Sequence, residues 1–299
     1  MQSWQSPHGR LLPPIGGRTL IMGVLNVTPD SFSDGGQLAS PQALVDRAGQ
    51  MLADGADVLD LGGESTRPGA AVVTAEEELA RVLPALTALR AAFPDAPVSI
   101  DSYKADVADA AVTAGADIIN DVWGLLHGVS SADRERWRQA TPSPPPIPAM
   151  AQVAAQRKCP VILMHNRADR NYTDFWADVL ADFRVSLAVA AVAGIAPRQI
   201  WLDPGFGFAK NVPHNLEVLR DLRRIVALGF PVLVGTSRKS TLGAVLGTNV
   251  EDRREGGGAT VVWAIQQGCA MVRVHEVREM ARFARMADAI KAGLDFASA

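Results

Sequence analysis

The hexapeptide GADVLD, Gly55–Asp60, returns as GADIIN, Gly115–Asn120, and again as GCAMVR, Gly268–Arg273. In each, a glycine ends a helical stretch, a short apolar run follows, and the run closes on a polar residue. The same order with looser starts appears at Pro97–Asp101, Val161–His165, Ile200–Asp203 and Pro231–Gly235, and a first apolar run lies at Thr19–Leu25. Helical periodicity fills the gaps: Leu44, Ala48, Met51 and Leu52 share one face, as do Trp176, Val179, Leu180, Phe183 and Leu187. Short runs that are apolar throughout belong to parallel strands buried on both faces. Eight of them alternating with helices predict an α/β chain, a single-domain (β/α)8 TIM barrel over residues 20–299 after an irregular lead-in at residues 1–19. A doubly wound open sheet is the alternative.

A barrel places function at the carboxyl ends of its strands. That is where the polar residues fall: Asn26, Asp60, Asp101, Asn120, His165, Asp203, the loop 235–239, Arg273 and His275 all lie at or just past a strand end. One stretch breaks the rhythm. Residues 126–148 read as an inserted loop, because the Pro-rich run Pro142–Pro148 can enter neither a helix interior nor an inner strand. A short helix is expected around Ala132–Gln139. Its charged residues Asp133–Arg138 are expected to be solvated around Trp137, which would make the insertion dispensable for folding.

Composition narrows the partners. The 299 residues are 48% hydrophobic and 20% charged, with a net charge of −3 and a pI near 6.0. General nucleic-acid or membrane-surface binding would call for an excess of Lys and Arg, so small-molecule substrates are expected. No basic, then apolar leader opens the sequence and no run of about 18 apolar residues occurs, so a cytoplasmic location is expected. Cys159 and Cys269 belong to no CxxC and read as buried hydrophobes.

Three loops carry chemistry. VGTSRKS, Val234–Ser240, passes from strand through a glycine turn into a helix, and gathers free backbone N–H groups with Arg238 and Lys239 where an anionic or electron-rich ligand fits. NVTPDSFSDGG, Asn26–Gly36, offers oxygen ligands on a loop, which suits a lid or a Mg²⁺ site. LGGESTRPGA, Leu61–Ala70, sets Thr66 and Arg67 between glycines and a proline. With Arg273 and His275, which alternate along the last strand and so face one way, Arg67 would form an anion pocket. Asp101, Asn120 and Asp203 form a complementary set, since a strand-end carboxylate needs N–H donors, and an aminopyrimidinone edge has them. Phe206 and Phe208 add apolar surface for a flat ring. Ion pairs of these carboxylates with Lys239 or Arg273 are the alternative.

NVTPDSFSDGG, GGESTRPGA, SIDSYK, IIND, LDPGFGF, GTSRKS and RVH, in that order from about Leu20 to Ile290, resemble the dihydropteroate synthase family. The resemblance implies a TIM barrel, commonly a homodimer. It also implies an activity that joins p-aminobenzoate to 6-hydroxymethyl-7,8-dihydropterin pyrophosphate and releases pyrophosphate, with Mg²⁺. Carried residue by residue, it places the pterin on Asp101, Asn120, Asp203 and Lys239, with Arg273 beside the ring. Thr66, Arg67, Arg273 and His275 would take the pyrophosphate, with Asn26 binding Mg²⁺ near it; Ser237, Phe208 and Pro68 would line the p-aminobenzoate pocket. Residues His165–Asn166–Arg167 and Glu276 fall at variable positions, and the insertion at 126–148 is longer than the pattern.

The main charge to stabilise in such a reaction is that of the leaving pyrophosphate, and an arylamine is already nucleophilic. Lys239, Arg273, His275 and Arg67 are therefore expected to act by positioning and charge stabilisation, with no single general base. A pterin-binding methyltransferase using methyltetrahydrofolate shares the pterin-holding residues but has no pyrophosphate to bind. A non-catalytic pterin- or anion-binding barrel is the third reading.

Overall fold

In the computed structural model, residues 4–28, 41–65, 72–139 and 144–293 are described. Eight parallel strands form the sheet: β1 Leu20–Asn26, β2 Val58–Gly62, β3 Val98–Asp101, β4 Ile118–Asp121, β5 Val161–Met164, β6 Ile200–Asp203, β7 Leu233–Val234 and β8 Met271–Val274. Their order, β6-β5-β4-β3-β2-β1-β8-β7, is that of a barrel. The seam closes through a parallel bridge between Leu202 and Val232, with Leu202 N donating to Pro231 O at 3.0 Å. The sheet is therefore a TIM barrel and not the open alternative.

Around it lie the helices α1 Pro41–Ala53, α2 Ala75–Ala92, α3 Ala105–Thr113, α4 Ser131–Arg138, α5 Ala149–Arg157, α6 Phe175–Ala193, α7 Val212–Arg220, α8 Arg223–Val226, α9 Ser240–Leu246, α10 Arg254–Gln266 and α11 Val277–Ala292. Local chemistry sets their ends. Thr74 and Glu77 form a capping box at the start of α2, and three glutamates in its first turn face the positive end of the helix dipole. Asp174 caps α6, and Gly194 closes it at a φ of 84° that a side chain would strain.

Two apolar cores follow from the alternation of side chains along each strand. Outward residues such as Ile100, Ile119, Leu163 and Val272 pack under the helices. Inward residues Leu20, Met22, Val58, Ile118, Ile162, Trp201, Leu233 and Met271 fill the lower barrel. The lead-in is irregular, yet it seals that lower end: Trp4 and Ile15 join the inner cluster, and the Trp4 and Trp201 rings lie 4.9 Å apart. Asp117, fully buried, ties the plug to the barrel through Ser6 Oγ at 2.5 Å, Arg10 Nε at 3.0 Å and Arg90 Nη2 at 3.1 Å.

The expected solvation of the insertion around Trp137 is corrected by the structure. The predicted helix is α4, but Trp137 is only 5% exposed and belongs to the outer core. Arg138 Nη2 reaches Asp182 on α6 at 2.5 Å, and Arg134 Nη2 donates to Leu126 O at 2.9 Å. A charge-rich helix concealed its one apolar anchor, because a single tryptophan leaves little periodic signal. Trp137→Ala should cost about 3 kcal/mol of stability, read by chemical denaturation; a loss within about 0.5 kcal/mol, as for a surface change, would return the helix to solvent.

Candidate active site

Two residues beyond the apolar inner layer, the same inward alternation places polar groups. Asp60 follows Val58, Asn120 follows Ile118, Asp203 follows Trp201 and Arg273 follows Met271. Asp101 pairs in register with Asn120 on one side and Gly62 on the other. Parallel register thus converts separate strand ends into one ring of charge at the barrel mouth.

Arg273 organises the ring. Its Nε donates to Asp60 Oδ2 at 2.5 Å and its Nη2 to Asp101 Oδ2 at 2.6 Å. Asn120 Nδ2 donates to the same Asp60 oxygen at 3.2 Å. Burial opposes the charge on Arg273, but Asp60 and Asp101 outweigh it and hold the guanidinium above its usual pKa. Burial also dominates at Asp101 and pushes its carboxyl up to about 7, against the pull of Arg273. Among the described residues, Asp60 Oδ1 and Asp101 Oδ1 are buried with no hydrogen-bond partner. Such atoms are costly unless a donor meets them.

Asp203 is arranged differently. It forms no ion pair with Arg273, and instead Oδ1 accepts from Gly205 N at 2.7 Å. Burial pushes its carboxyl up to about 6, while Gly205 N, Lys239, Arg273 and Lys210 pull the other way. Gly205 cannot be replaced cheaply, since its φ is +66° and a Cβ there would lie 2.0 Å from His165 O. The loop that follows brings Phe208 under Lys239, whose Nζ is 4.1 Å from the ring centroid.

Beyond β8, His275 Nδ1 lies 2.9 Å from Ser237 Oγ. Ser237 also donates to Glu276 Oε2 at 3.2 Å, and Arg238, at a φ of 59°, binds the other Glu276 oxygen at 2.7 Å. Asn26 ends β1 with its Oδ1 beside Gly62, the residue that Asp101 also flanks. Asp101, Asn120, Asp203, Lys239, Arg273, His275, Ser237, Phe208 and Asn26 are therefore brought to one end of the barrel. Thr66, Arg67 and Pro68, and the loop from residue 29 to 36, lie outside the described residues. Among those described, no group of three or more His, Cys, Asp or Glu side chains could hold a metal ion. Asn26 offers one neutral oxygen, a donor set that fits Mg²⁺ only if phosphate oxygens and water complete its shell.

The sequence reading noted Asp60 at a strand end but gave it no role at the site. The signal was present: Asp60 occupies in GADVLD the place that Asn120 occupies in GADIIN. Lys210 was missed outright, because nothing in AKN distinguishes a buried lysine from a surface one.

The fold, with polar residues gathered at the carboxyl ends of its strands, is that of a barrel enzyme. Comparison with known proteins agrees. Residues 22–275 match the family described as pterin binding enzyme. A dihydropteroate synthase of Bacillus subtilis is 48% identical over 273 residues, 91% of this chain and 89% of the relative. A solved dihydropteroate synthase of Xanthomonas albilineans with 4-aminobenzoic acid superposes with a TM-score of 0.83 at 38% identity, covering 96% of this chain and 99% of that one. One from Coxiella burnetii in complex with pteroic acid gives 0.82 at 30% identity, covering 98% and 100%. The chain belongs to the pterin-binding enzymes and, within them, to the dihydropteroate synthase family.

The carboxylates set a pH dependence. Each accepts N–H groups most strongly, and on both oxygens, when ionised, and burial raises their pKa values, to about 6 at Asp203 and about 7 at Asp101. Ligand affinity should therefore approach its full value near pH 8 and fall as pH drops through 7 to 6. Titration calorimetry with 6-hydroxymethylpterin, which has no phosphate to titrate, checks this; affinity constant from pH 5 to 8 would contradict it.

Proposed function

We propose that the chain condenses p-aminobenzoate with 6-hydroxymethyl-7,8-dihydropterin pyrophosphate, giving 7,8-dihydropteroate and pyrophosphate in folate biosynthesis. The observation that carries the reading is the unpartnered Asp101 Oδ1, which with the side-chain oxygens of Asn120 and Asp203 at the same strand ends supplies acceptors for the amino and ring N–H groups of a pterin edge, while Arg273 donates to the other Asp101 oxygen. Lys239 and Arg273 flank the ring. Thr66, Arg67, Arg273 and His275 take the pyrophosphate, and Ser237, Phe208 and Pro68 line the p-aminobenzoate pocket.

The arylamine nitrogen forms a C–N bond to the pterin methylene as the C–O bond breaks, and the pyrophosphate leaves with the electron pair. The nitrogen then gives its extra proton to water, so no strong base is required. The chain's part is to hold the two reactants in line and to meet the departing charge with cations fixed beforehand. Arg273 suits this, because its two carboxylates keep it charged and immobile before substrate arrives. Asn26 would hold Mg²⁺ entering with the phosphates, where the ion adds charge stabilisation to the leaving group. Purified protein with both substrates and Mg²⁺ should release pyrophosphate and dihydropteroate together, and EDTA should suppress both. Tight binding of methyltetrahydrofolate without pyrophosphate release would favour the methyl-transferring reading.

A homodimer is part of the same proposal. Phe283, Met286 and Ile290 form an exposed stripe along α11, and Trp263 is half exposed on neighbouring α10. Among the described residues no helix is long and apolar enough to cross a membrane, so a second copy of this chain is the proposed cover and the cytoplasm the proposed location. Met286→Glu combined with Ile290→Glu should shift the sedimenting species to monomer mass; a dimer that survives both changes would place the interface elsewhere.

A further inference from the structure

Behind Asp203 lies a buried polar chain that the proposed reaction does not use. Lys210 is 3% exposed. Its Nζ lies 2.9 Å from His165 Nδ1, 3.1 Å from Gly205 O and 3.2 Å from Phe208 O. His165 Nε2 lies 3.2 Å from Asp182 Oδ2, and Asp182 also receives Arg167 Nε at 2.6 Å and Arg138 Nη2 at 2.5 Å.

Hydrogen-bond geometry orders the donors and acceptors along this chain. Burial and the nearby Lys210 lower the His165 ring to about 4, so it is neutral at pH 7. A carboxylate such as Asp182 can only accept, so the ring proton sits on Nε2 and Nδ1 is an acceptor. Lys210 Nζ therefore faces three acceptors, and an ammonium has three N–H groups to meet them, where a neutral amine has two. Burial draws its pKa down to about 7, while the carboxylates of Asp203 and Asp182 favour the charge and Arg167 and Lys239 oppose it.

We propose that Lys210 is a positioning residue for the pterin site, holding the loop 205–208 in place and supplying the positive charge that keeps Asp203 ionised. The inference rests on the placing of the pterin against Asp203. Both halves meet at Gly205, whose N–H binds Asp203 Oδ1 while its carbonyl binds Lys210 Nζ. The other end of the loop is fixed through Phe208 O, so one ammonium sets the ring that lies under Lys239 as well as the carboxylate beside it. The groups facing Asp203 are Gly205 N on its own loop, Lys239 beyond β7, Arg273 on β8 and Lys210. Among the three cations, Lys210 alone is wholly withdrawn from the mouth, so a substrate cannot divert it.

The test follows 6-hydroxymethylpterin binding from pH 5 to 8 by calorimetry. Lys210→Gln keeps a donor but loses the charge, and should move the acid limb of binding upward by about one pH unit. Lys210→Arg keeps the charge and should leave the limb near its wild-type position. Asp182→Asn guards against misfolding of the first variant: Lys210 stays in place but loses the carboxylate favouring its ammonium form, so the limb should move the same way by less. A limb unmoved in both Lys210→Gln and Asp182→Asn, or moved equally by Lys210→Gln and Lys210→Arg, overturns the proposal. Asp203→Asn separates the two readings. If it removes the part of the limb near pH 6 and leaves the part due to Asp101 near pH 7, while Lys210→Gln shifts neither, the pterin site stands and Lys210 has only a packing role, which overturns the proposal. If it leaves binding unchanged, the placing of the pterin fails and the inference fails with it.

Discussion

The fork of Arg273 between Asp60 and Asp101 is the interaction on which the barrel mouth depends. In the sheet order β3-β2-β1-β8, the guanidinium on β8 reaches over β1 to carboxylates on β2 and β3. Removing it would leave two carboxylates in a buried ring, and an uncompensated buried charge costs several kcal/mol. Yet the pair is only partly consumed. Each carboxylate gives Arg273 one oxygen and, among the described residues, keeps another buried without a partner, so the ion pair that makes the ring tolerable also leaves acceptors for a ligand to meet. Stability and recognition therefore draw on the same four oxygens.

Such a ring needs a dry floor. The inner layer of Val58, Ile118, Trp201 and Met271 lies one alternation step below the charges, and Trp4 and Ile15 seal its lower end. Low polarisability beneath the ring strengthens every ion pair above it, and it also raises the carboxylate pKa values toward neutrality. The two effects are inseparable. A floor of polar residues would ionise Asp101 and Asp203 more easily, but it would weaken their hold on ligand N–H groups.

The barrel was legible because the chain repeats one physical design, an apolar strand that closes on a polar residue, three times behind a glycine stop and elsewhere with looser starts. Asp101, Asn120 and Asp203 then stood out because each ends a strand, and alternation along the last strand set Arg273 and His275 on one side. Pairing across the ring was not legible, since register between strands distant in sequence decides whether Arg273 meets Asp203 or Asp60. It meets Asp60, whose place in the repeat mirrors Asn120. Trp137 and Lys210 escaped for the opposite reason. Each is one residue whose burial is dictated by tertiary contacts while its neighbours look solvated.

Those two residues are not independent. Trp137 anchors α4 in the outer core, and the adjacent Arg138 reaches Asp182, which binds the His165 ring that accepts from Lys210. From there the contacts pass through Gly205 to Asp203. A short insertion that interrupts the alternation of strand and helix thus lies, through Arg138, four contacts away from the carbonyls of Gly205 and Phe208. The cost of ordering α4 is met by Trp137, and what the order provides is a second cation on Asp182 beside Arg167. Two arginines on one carboxylate neutralise it more fully than one, which limits how strongly Asp182 can draw the His165 and Lys210 protons toward itself. The insertion therefore supplies both an apolar anchor to the outer core and a cation to Asp182, and its removal would take away the two together.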